Sequence, residues 1–367
     1  MSLGVDPDIA VARTPAKDFY LDPAQFEAAR ERIFARTWQW LGDTAEVAAP
    51  GSLAPRVLLP GLLDEPLLLA RDGAGTLRCL SNVCTHRGNL LVHAPCRGAQ
   101  QIRCGYHARR FDLDGRMRFM PGFEGVRDFP TPADDLARVA LEELGPLAFA
   151  ALAPAAPFED LAGPLASEFD ALPAADALAA DPARSRDYEF DAHWALYVEN
   201  YLEGLHIPFV HPGLARSLAP SGYRYRLHRH AVLQTAIARD GEAAFDDPAS
   251  HAAAPTPRIA ARYWWMFPNL MFNFYPWGLS LNVVEPLGPA RTRVRFRSYV
   301  ADASRLGKGA GGALDEVELQ DEAVVQTVQR GIRSRFYAHG RYAPAHEAAV
   351  HHFHRLLAAY MAPPQGT

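Results

Sequence analysis

The chain has 367 residues, of which 49% are apolar and 22% charged, and its formal net charge is −5. This balance is typical of a globular protein with room for two domains, or for one large domain with an insertion. The sequence has no basic run that would bind nucleic acid, no apolar run long enough to span a membrane and no signal-peptide pattern, which predicts a cytoplasmic enzyme or binding protein.

The first part of the chain predicts a helix followed by a small β-domain. Residues 19–39 follow a helical period, with Asp22 as N-cap and Pro23 in the first turn. From residue 41 to residue 153, short apolar runs alternate with Gly, Pro and Asp-Gly turns, a texture typical of β-hairpins. We therefore expect an N-terminal helical segment at 1–40 and an all-β domain at 41–153.

The remainder of the chain, residues 154–367, predicts a mixed domain. After a connection rich in Ala and Pro with one short helix, a helix is expected from His193 to His206. Aromatic, strand-like runs follow at 262–284 and 291–300, and a helical region covers 313–360. This order indicates an α+β fold, with the small β-domain inserted near the N-terminus.

Two loops of the β-domain carry paired metal-binding side chains, in the segments CTHRG and CGYH. The first loop supplies Cys84 and His86, and the second supplies Cys104 and His107. Two thiolates and two imidazoles can hold zinc, or a [2Fe–2S] cluster with one iron on sulfur and the other on nitrogen. Zinc sites usually take two cysteines from one loop, so the pattern favours the cluster and leaves zinc as the alternative.

The other two cysteines, Cys79 and Cys96, fall outside this pattern and are expected to be small buried side chains. All four cysteines lie in the first third of the chain, which indicates a local metal or cluster site rather than a disulfide framework. No phosphate loop or Gly-x-Gly-x-x-Gly turn follows a predicted strand, so we expect no flavin or nicotinamide domain in this chain.

A second group of metal-binding side chains lies in the segment VENYLEGLHIPFVHPG. On a helix, Asn200, Glu203 and His206 would follow one stripe, and the prolines after it would turn the chain so that His211 returns to the site. Two histidines at a helix end suit the 2-His-1-carboxylate site of Fe(II) oxygenases. The alternative is a pair of ordinary histidines near a helix terminus.

The third ligand is expected to come from the segment LDEVELQDEAVVQTVQRGI. One helical stripe there is apolar except for one aspartate, and it consists of Val317, Asp321, Val324 and Val328. A buried carboxylate is costly unless it is paired or binds a metal, so Asp321 is predicted to bind the iron; the alternative is a surface aspartate. The neighbouring row is expected to face solvent, and it consists of Glu318, Glu322, Val325 and Gln329.

With these motifs, the chain resembles the Rieske non-haem iron oxygenases over the β-domain and most of the remaining sequence. The resemblance implies a helix-grip (START-like) catalytic domain, with a Rieske [2Fe–2S] cluster and a mononuclear Fe(II) as cofactors. The implied ligands of the cluster are Cys84, His86, Cys104 and His107, and those of the iron are His206, His211 and Asp321.

The same resemblance implies roles and partners around the iron. Asn200 and Glu203 would serve catalysis without binding the metal, and Glu203 would link His206 to His107 of the neighbouring subunit in a homotrimer. An NAD(P)H-dependent reductase or a ferredoxin would supply the electrons, and O2 would react with a small-molecule substrate.

The second cluster loop departs from the family pattern. Many of these oxygenases have Gly-Trp after the second histidine ligand, whereas this chain has Ala108 and Arg109. Respiratory Rieske proteins have hydroxyl donors to the sulfurs where this chain has Arg109 and Phe111. Since donors to the sulfurs raise the potential, we expect a lower potential here.

Two features bear on the substrate. The segment RYWWMFPNLMFNFYPWGL is rich in aromatic rings, which can cage a quaternary ammonium by cation–π attraction or simply fill the core. The C-terminal elements QRG, GRY and HHFH resemble the choline, glycine-betaine and carnitine oxygenase group. We therefore expect hydroxylation or N-dealkylation of a small quaternary ammonium or related amine. The alternatives are an aromatic-ring hydroxylating or O-demethylating oxygenase, and an electron-transfer Rieske or zinc protein without oxygenase activity.

Overall fold

The computed structural model describes residues 3–170, 178–245 and 257–362. Its contacts divide the chain into two compact units, residues 35–155 and residues 1–34 with 156–367. The smaller unit therefore interrupts the larger one close to its N-terminus, as expected for an inserted domain. Along the described parts of the chain, no helix is long and apolar enough to cross a membrane.

The smaller unit is built of β-strands, as its hairpin texture predicted. Its strands are β1 (Gln39–Asp43), β2 (Leu53–Leu58), β3 (Glu65–Arg71), β4 (Leu77–Ser81), β5 (Ile102–Arg103), β6 (Arg110–Phe111), β7 (Met117–Phe119), β8 (Arg138–Leu144) and β9 (Leu147–Ala151). Six of these form an antiparallel sheet in the order β1-β9-β8-β4-β3-β2, and three form a second sheet in the order β5-β6-β7. Apolar side chains from both sheets fill the interior of this unit.

The two free cysteines outside the loop motif have different environments. Cys79 is 2% exposed and packs in the core, as predicted. Cys96 is exposed, so the expectation of a buried side chain is wrong. The reason is local: the backbone of Cys96 pairs with Leu53 at a sheet edge, and this pairing leaves the side chain on the solvent side.

The larger unit combines helices with one sheet, which confirms the α+β prediction. Its helices are α1 (Asp18–Leu21), α2 (Pro23–Arg32), α3 (Phe158–Asp170), α4 (Trp194–Tyr201), α5 (Ile207–Val210), α6 (Pro212–Ser217), α7 (Leu314–Gly331) and α8 (Ala348–Met361). Its strands are β10 (Ala179–Phe190), β11 (Leu218–Leu227), β12 (Ala231–Ala238), β13 (Ile259–Met266), β14 (Leu270–Tyr275), β15 (Gly278–Gly288) and β16 (Arg291–Val300). In the described residues, these seven strands form an antiparallel sheet in the order β10-β16-β15-β14-β13-β12-β11.

The central strands of this sheet are buried on both faces, which explains their aromatic, nearly unbroken apolar sequence. Helix α4 packs against both α7 and β15. Trp194 of α4 and Trp265 of β13 each contact Phe353 of α8 edge to face, with ring centroids 5.8 and 5.3 Å apart. A buried aromatic core thus fixes the helices that carry the candidate site onto the sheet.

The helix predicted at 19–39 is shorter than expected. Asp22 caps α2 as predicted, because its side chain accepts a hydrogen bond from the backbone N–H of Ala24 at 2.9 Å. The helix ends at Arg32, and Gln39 already pairs with Ala150 in the sheet of the smaller unit. Strand pairing therefore overrides the helical period at the end of this segment.

Candidate metal centres and substrate cavity

In the smaller unit, the two loops bring the four predicted cluster ligands together in like pairs. The thiols of Cys84 and Cys104 are each 2% exposed. Burial, and then the hydrogen bond with Cys104, raise the pKa of the Cys84 thiol. The rings of His86 and His107 contact each other edge to face, with centroids 4.8 Å apart. Sulfur beside sulfur and imidazole beside imidazole is the arrangement that a cluster with two chemically different irons needs.

Hydrogen bonds in these loops also suit an iron–sulfur cluster. The side-chain amide of Asn89 donates to Sγ of Cys104 at 3.7 Å. Burial by itself would raise the pKa of Cys104, but the backbone N–H groups of Tyr106 and His107 lower it. Nδ1 of His86 is buried and has no hydrogen-bond partner among the described residues. A stabilised thiolate at Cys104 and an unpartnered imidazole nitrogen at His86 fit metal binding.

Arg109, in the second cluster loop, is a buried packing residue. It is 2% exposed, and its guanidinium lies over the rings of Phe111 and Phe129 at 5.7 and 5.4 Å. The same group pairs with Oδ1 of Asp134 at 2.8 Å. The planar guanidinium therefore packs against rings as an aromatic side chain would, and it adds an ion pair that anchors the second cluster loop.

In the larger unit, the helix predicted from His193 to His206 is wrong in its extent. Helix α4 ends at Tyr201, and Glu203 lies in the turn that follows. The carboxylate of Glu203 accepts hydrogen bonds from the backbone N–H groups of Leu205 and of His206, the latter at 3.1 Å. These N–H groups precede the short helix α5, so Glu203 stabilises the turn between α4 and α5 and is not part of α4.

The prolines also act differently from the prediction. Pro208 lies in the first turn of α5 and does not end a helix there. His206 is the N-cap of α5, and His211 stands between α5 and α6. A single turn of helix therefore carries the chain from one histidine to the other.

The structure brings His206, His211 and Asp321 to the wall of one cavity. One ring nitrogen of each histidine and one oxygen of Asp321 lie within 4.8 Å of one another. Oδ1 of Asp321 is 2.9 Å from Nε2 of His211 and 3.6 Å from Nε2 of His206. Asn200, also predicted to belong to the site, donates its side-chain amide to the same Oδ1 at 2.6 Å. Two imidazoles and a carboxylate in this arrangement can hold Fe(II).

Each histidine has an acceptor that fixes its ring. Oε1 of Glu203 lies 2.6 Å from Nδ1 of His206, and Oε1 of Gln320 lies 2.7 Å from Nδ1 of His211. Because a carboxylate or amide oxygen can only accept, Nδ1 donates in both of these contacts, and Nε2 is the ring nitrogen that faces Asp321 and could bind a metal. Burial alone would lower the pKa of His211, but its hydrogen bonds with Asp321 and Gln320 raise it. Sequence reasoning missed Gln320, whose one signal was its place next to Asp321.

The predicted phase of α7 is wrong, although Asp321 lies at the site. Val328 is 41% exposed, whereas Glu318 and Gln329, expected to face solvent, are 3% and 2% exposed. Glu322 is half-buried. Polar partners explain the reversal, because Tyr197 donates to Oε2 of Glu318 at 2.6 Å and the backbone N–H of His193 donates to Oε1 of Gln329 at 2.8 Å. A buried helical face can be polar where its groups are hydrogen-bonded.

Six of the side chains that line the cavity carry the aromatic ring of tyrosine or phenylalanine. Its aromatic lining consists of Tyr197, Tyr201, Tyr223, Tyr263, Tyr275 and Phe296. Of the aromatic run at 263–277, only Tyr263 and Tyr275 are part of this lining. The other aromatic side chains of that run are buried in the core.

Two glycines allow the backbone to pass close to the rings of these tyrosines. A Cβ on Gly204 would lie 2.8 Å from the ring of Tyr223, and a Cβ on Gly311 would lie 2.7 Å from the ring of Tyr275. The ring of Tyr275 also stacks on Trp277, with centroids 5.3 Å apart. Only glycine allows the backbone to approach both rings so closely.

Comparisons with known proteins agree with this arrangement. Residues 178–363 match the family model of the ring hydroxylating alpha subunit (catalytic domain), and residues 37–130 match the Rieske [2Fe-2S] domain. The choline monooxygenase, chloroplastic, of Arabidopsis thaliana is 28% identical, over 96% of this chain and 84% of that protein. The carnitine monooxygenase oxygenase subunit of Escherichia coli (strain K12) is 29% identical, over 94% of this chain and 92% of that protein.

Solved structures show the same fold. A quaternary ammonium Rieske monooxygenase, for which carnitine oxidation and inter-subunit electron transfer are described, superposes with a TM-score of 0.75. It is 26% identical, and the match covers 96% of each chain. The chain therefore belongs to the ring-hydroxylating alpha-subunit family and carries a Rieske domain, so it is an oxygen-incorporating oxidoreductase with a [2Fe–2S] cluster and a mononuclear iron that receives its electrons from a reductase partner.

Proposed function

We propose that this chain hydroxylates or N-dealkylates a small quaternary ammonium or related amine in the cavity of the larger unit. The observation that carries the proposal is the row of tyrosine rings in the wall that also contains His206, His211 and Asp321. Aromatic faces attract a desolvated cation, and the attraction is strongest where several rings meet. The relatives named above, which act on choline and carnitine, agree with this substrate class.

Four of the tyrosines form a continuous set of rings. The ring of Tyr263 lies 6.4 Å from Tyr201, 6.4 Å from Tyr223 and 5.9 Å from Tyr275, measured between centroids. The Tyr201 and Tyr275 rings stand edge-on to Tyr263, whereas the Tyr223 ring is nearly parallel to it. Rings in different orientations around one space can surround a rounded trimethylammonium group better than a flat aromatic substrate.

Within this proposal, His206, His211 and Asp321 hold the iron, and Cys84, His86, Cys104 and His107 hold the cluster. When bound, the cluster supplies electrons and the iron supplies the site at which O2 reacts. Asn200 positions the carboxylate of Asp321 through their 2.6 Å hydrogen bond. The tyrosine rings hold the substrate cation beside that site and exclude water from it.

Glu203 is proposed to be a positioning residue and an electron bridge, not a ligand. Both of its carboxylate oxygens are engaged, one with Nδ1 of His206 and the other with backbone N–H groups. As a bridge, it would connect His206 to His107 of the neighbouring subunit in a homotrimer. The proposed electron donor is an NAD(P)H-dependent reductase or a ferredoxin, and we propose a cytoplasmic location.

The experiment is a substrate panel with the purified protein carrying its cluster and iron, a surrogate reductase and NADH. The panel contains choline, L-carnitine, glycine betaine and an aromatic acid, and both NADH consumption and product are measured. We expect coupled product formation with at least one quaternary ammonium. The variant Asp321→Ala should lose coupled turnover and keep the visible spectrum of the cluster. Coupled product with the aromatic acid alone would overturn the proposal in favour of ring hydroxylation or O-demethylation.

A further inference from the structure

Glu318 lines the substrate cavity although its side chain is almost completely buried. It lies on α7, one turn before Asp321, and is 3% exposed. Its Oε2 accepts the hydroxyl of Tyr197 at 2.6 Å. Its Oε1 is buried and has no hydrogen-bond partner among the described residues. A buried carboxyl oxygen without a partner is unusual and costly unless something else completes it.

The other two carboxylates of the cavity already have their partners. Asp321 contacts two histidine rings and the amide of Asn200. Glu203 contacts the ring of His206 and two backbone N–H groups. Glu318 makes no ion pair with any Lys, Arg or His that the structure describes. Burial therefore raises the pKa of the Glu318 carboxyl well above its usual range, and only a cation that enters the cavity would favour its ionised form.

The cavity also lacks a cationic side chain that could balance it or bind an anionic substrate group. Among the described residues that line it, none is Lys or Arg. The segments outside the described residues contain no Lys or Arg in their sequence either, so they cannot supply one. Since burying an unpaired charge is strongly unfavourable, a carboxylate-bearing substrate would be poorly held here.

We propose that Glu318 determines specificity by supplying the counter-charge for the substrate cation, so that the cavity selects a cation without a carboxylate. This inference rests on the proposed function and narrows its substrate class to monocationic quaternary ammonium compounds of the choline type. The tyrosine rings contribute a cation–π attraction, and the Glu318 carboxyl contributes a negative charge that the bound cation stabilises within the same desolvated space. Tyr197 orients Glu318 by its hydrogen bond.

The test measures binding of three probes to the protein with its cluster and iron, by calorimetry. The probes are choline, its uncharged isostere 3,3-dimethyl-1-butanol, and the zwitterion L-carnitine. Wild type should bind choline more tightly than both other probes. The variant Glu318→Gln should weaken choline binding by roughly tenfold and leave the isostere unchanged. Choline affinity that does not change in Glu318→Gln would overturn the inference and make Glu318 a structural residue.

The matched control is Glu322→Gln, one turn further along α7. Glu322 is half-buried and lies outside the lining of the cavity, so its variant should bind all three probes as wild type does. A second variant, Tyr197→Phe, tests the inference independently if Glu318→Gln does not fold. It removes the hydrogen bond that favours the ionised carboxylate, and we expect a smaller loss of the choline preference; an unchanged preference would contradict the inference.

These outcomes can be distinguished from failure of the proposed function. If only the aromatic acid gives coupled product in the substrate panel, the proposed function fails, whatever Glu318 does. If a quaternary ammonium is turned over but Glu318→Gln keeps the wild-type preference for choline over its isostere, only the inference about Glu318 fails.

Discussion

Oδ1 of Asp321 lies 2.9 Å from Nε2 of His211, although 110 positions separate the two residues in the chain. Six of the seven strands of the larger unit's sheet, β11 to β16, lie between them in the sequence, so the contact requires that this part of the sheet has folded and that α7 has packed on α4. Iron binding at this place would consequently report on the fold of the whole larger unit.

The first prediction concerns Glu203. The variant Glu203→Gln keeps an acceptor for Nδ1 of His206, since an amide oxygen replaces the carboxylate oxygen 2.6 Å away. We therefore expect wild-type iron content together with a loss of multiple turnover by roughly 10- to 100-fold. Metal analysis and product per chain under excess reductase check this.

The matched control for this prediction is Glu27→Gln, because Glu27 lies on the surface of α2 with its side chain 60% exposed. It should keep both iron and turnover. If Glu203→Gln loses the mononuclear iron, Glu203 is a metal ligand and the proposed role as a bridge is wrong.

The second prediction concerns Arg109. Its removal in Arg109→Ala takes away the packing on Phe111 and Phe129 and leaves Asp134 without its ion pair. Breaking a buried ion pair typically lowers the free energy of unfolding by about 3–5 kcal/mol. Because the side chain of Asp134 is 24% exposed, we expect a decrease at or below the lower end of that range. The half-life of the cluster's visible absorption at a fixed elevated temperature should shorten clearly, whereas exposed Arg103→Ala should leave it unchanged. An equal half-life in both variants would show that the ion pair does not stabilise the loop.

The third prediction is a pH dependence of stability caused by His193. Complete burial lowers the pKa of His193 to about 3, while an unfolded histidine titrates near 6.5. Between these values the unfolded state binds one more proton than the folded state, so the free energy of unfolding falls as the pH falls, by about 1.4 kcal/mol per unit. This decrease in the free energy of unfolding is absent above the pKa of the unfolded histidine, and it is complete below the pKa of His193 in the folded protein.

In the wild type, Nδ1 of His193 accepts the backbone N–H of Ala195 at 3.3 Å. The variant His193→Asn keeps an acceptor for this N–H but has no side chain that titrates in this pH range. Between pH 7 and pH 5, wild type should lose roughly 2 kcal/mol more stability than this variant, as measured by denaturant unfolding. His346→Asn, at an exposed position, should behave as wild type. Parallel pH profiles for wild type and His193→Asn would contradict the assignment.

The sequence allowed the prediction of elements whose cause is local. The Asp22 cap, the hairpins of the smaller unit and the aromatic strands were predicted because capping, turn chemistry and apolar runs act over a few residues. The two cluster loops were recognisable for the same reason: each loop carries one cysteine and one histidine in a short fixed spacing.

The errors arose where a distant partner decides the structure. Glu318 and Gln329 read as solvent-facing, yet Tyr197 and the backbone of His193, both more than a hundred positions away, make their burial favourable. Helix α4 ends at Tyr201, and the carboxylate of Glu203 accepts the backbone N–H of His206 in the turn that follows. The cavity could not be predicted, because its tyrosines come from three strands, β11, β13 and β14, and from helix α4, which meet only in the folded unit.

The central claim is that one chain holds a Rieske cluster and a separate iron bound by His206, His211 and Asp321. Its most direct test measures the iron, zinc and acid-labile sulfide content of the purified protein and of the variant Asp321→Ala. We expect three irons and two sulfides per chain in wild type, and two irons with two sulfides in the variant. Zinc in place of iron and sulfide in the smaller unit, or an unchanged iron content in Asp321→Ala, would contradict the account.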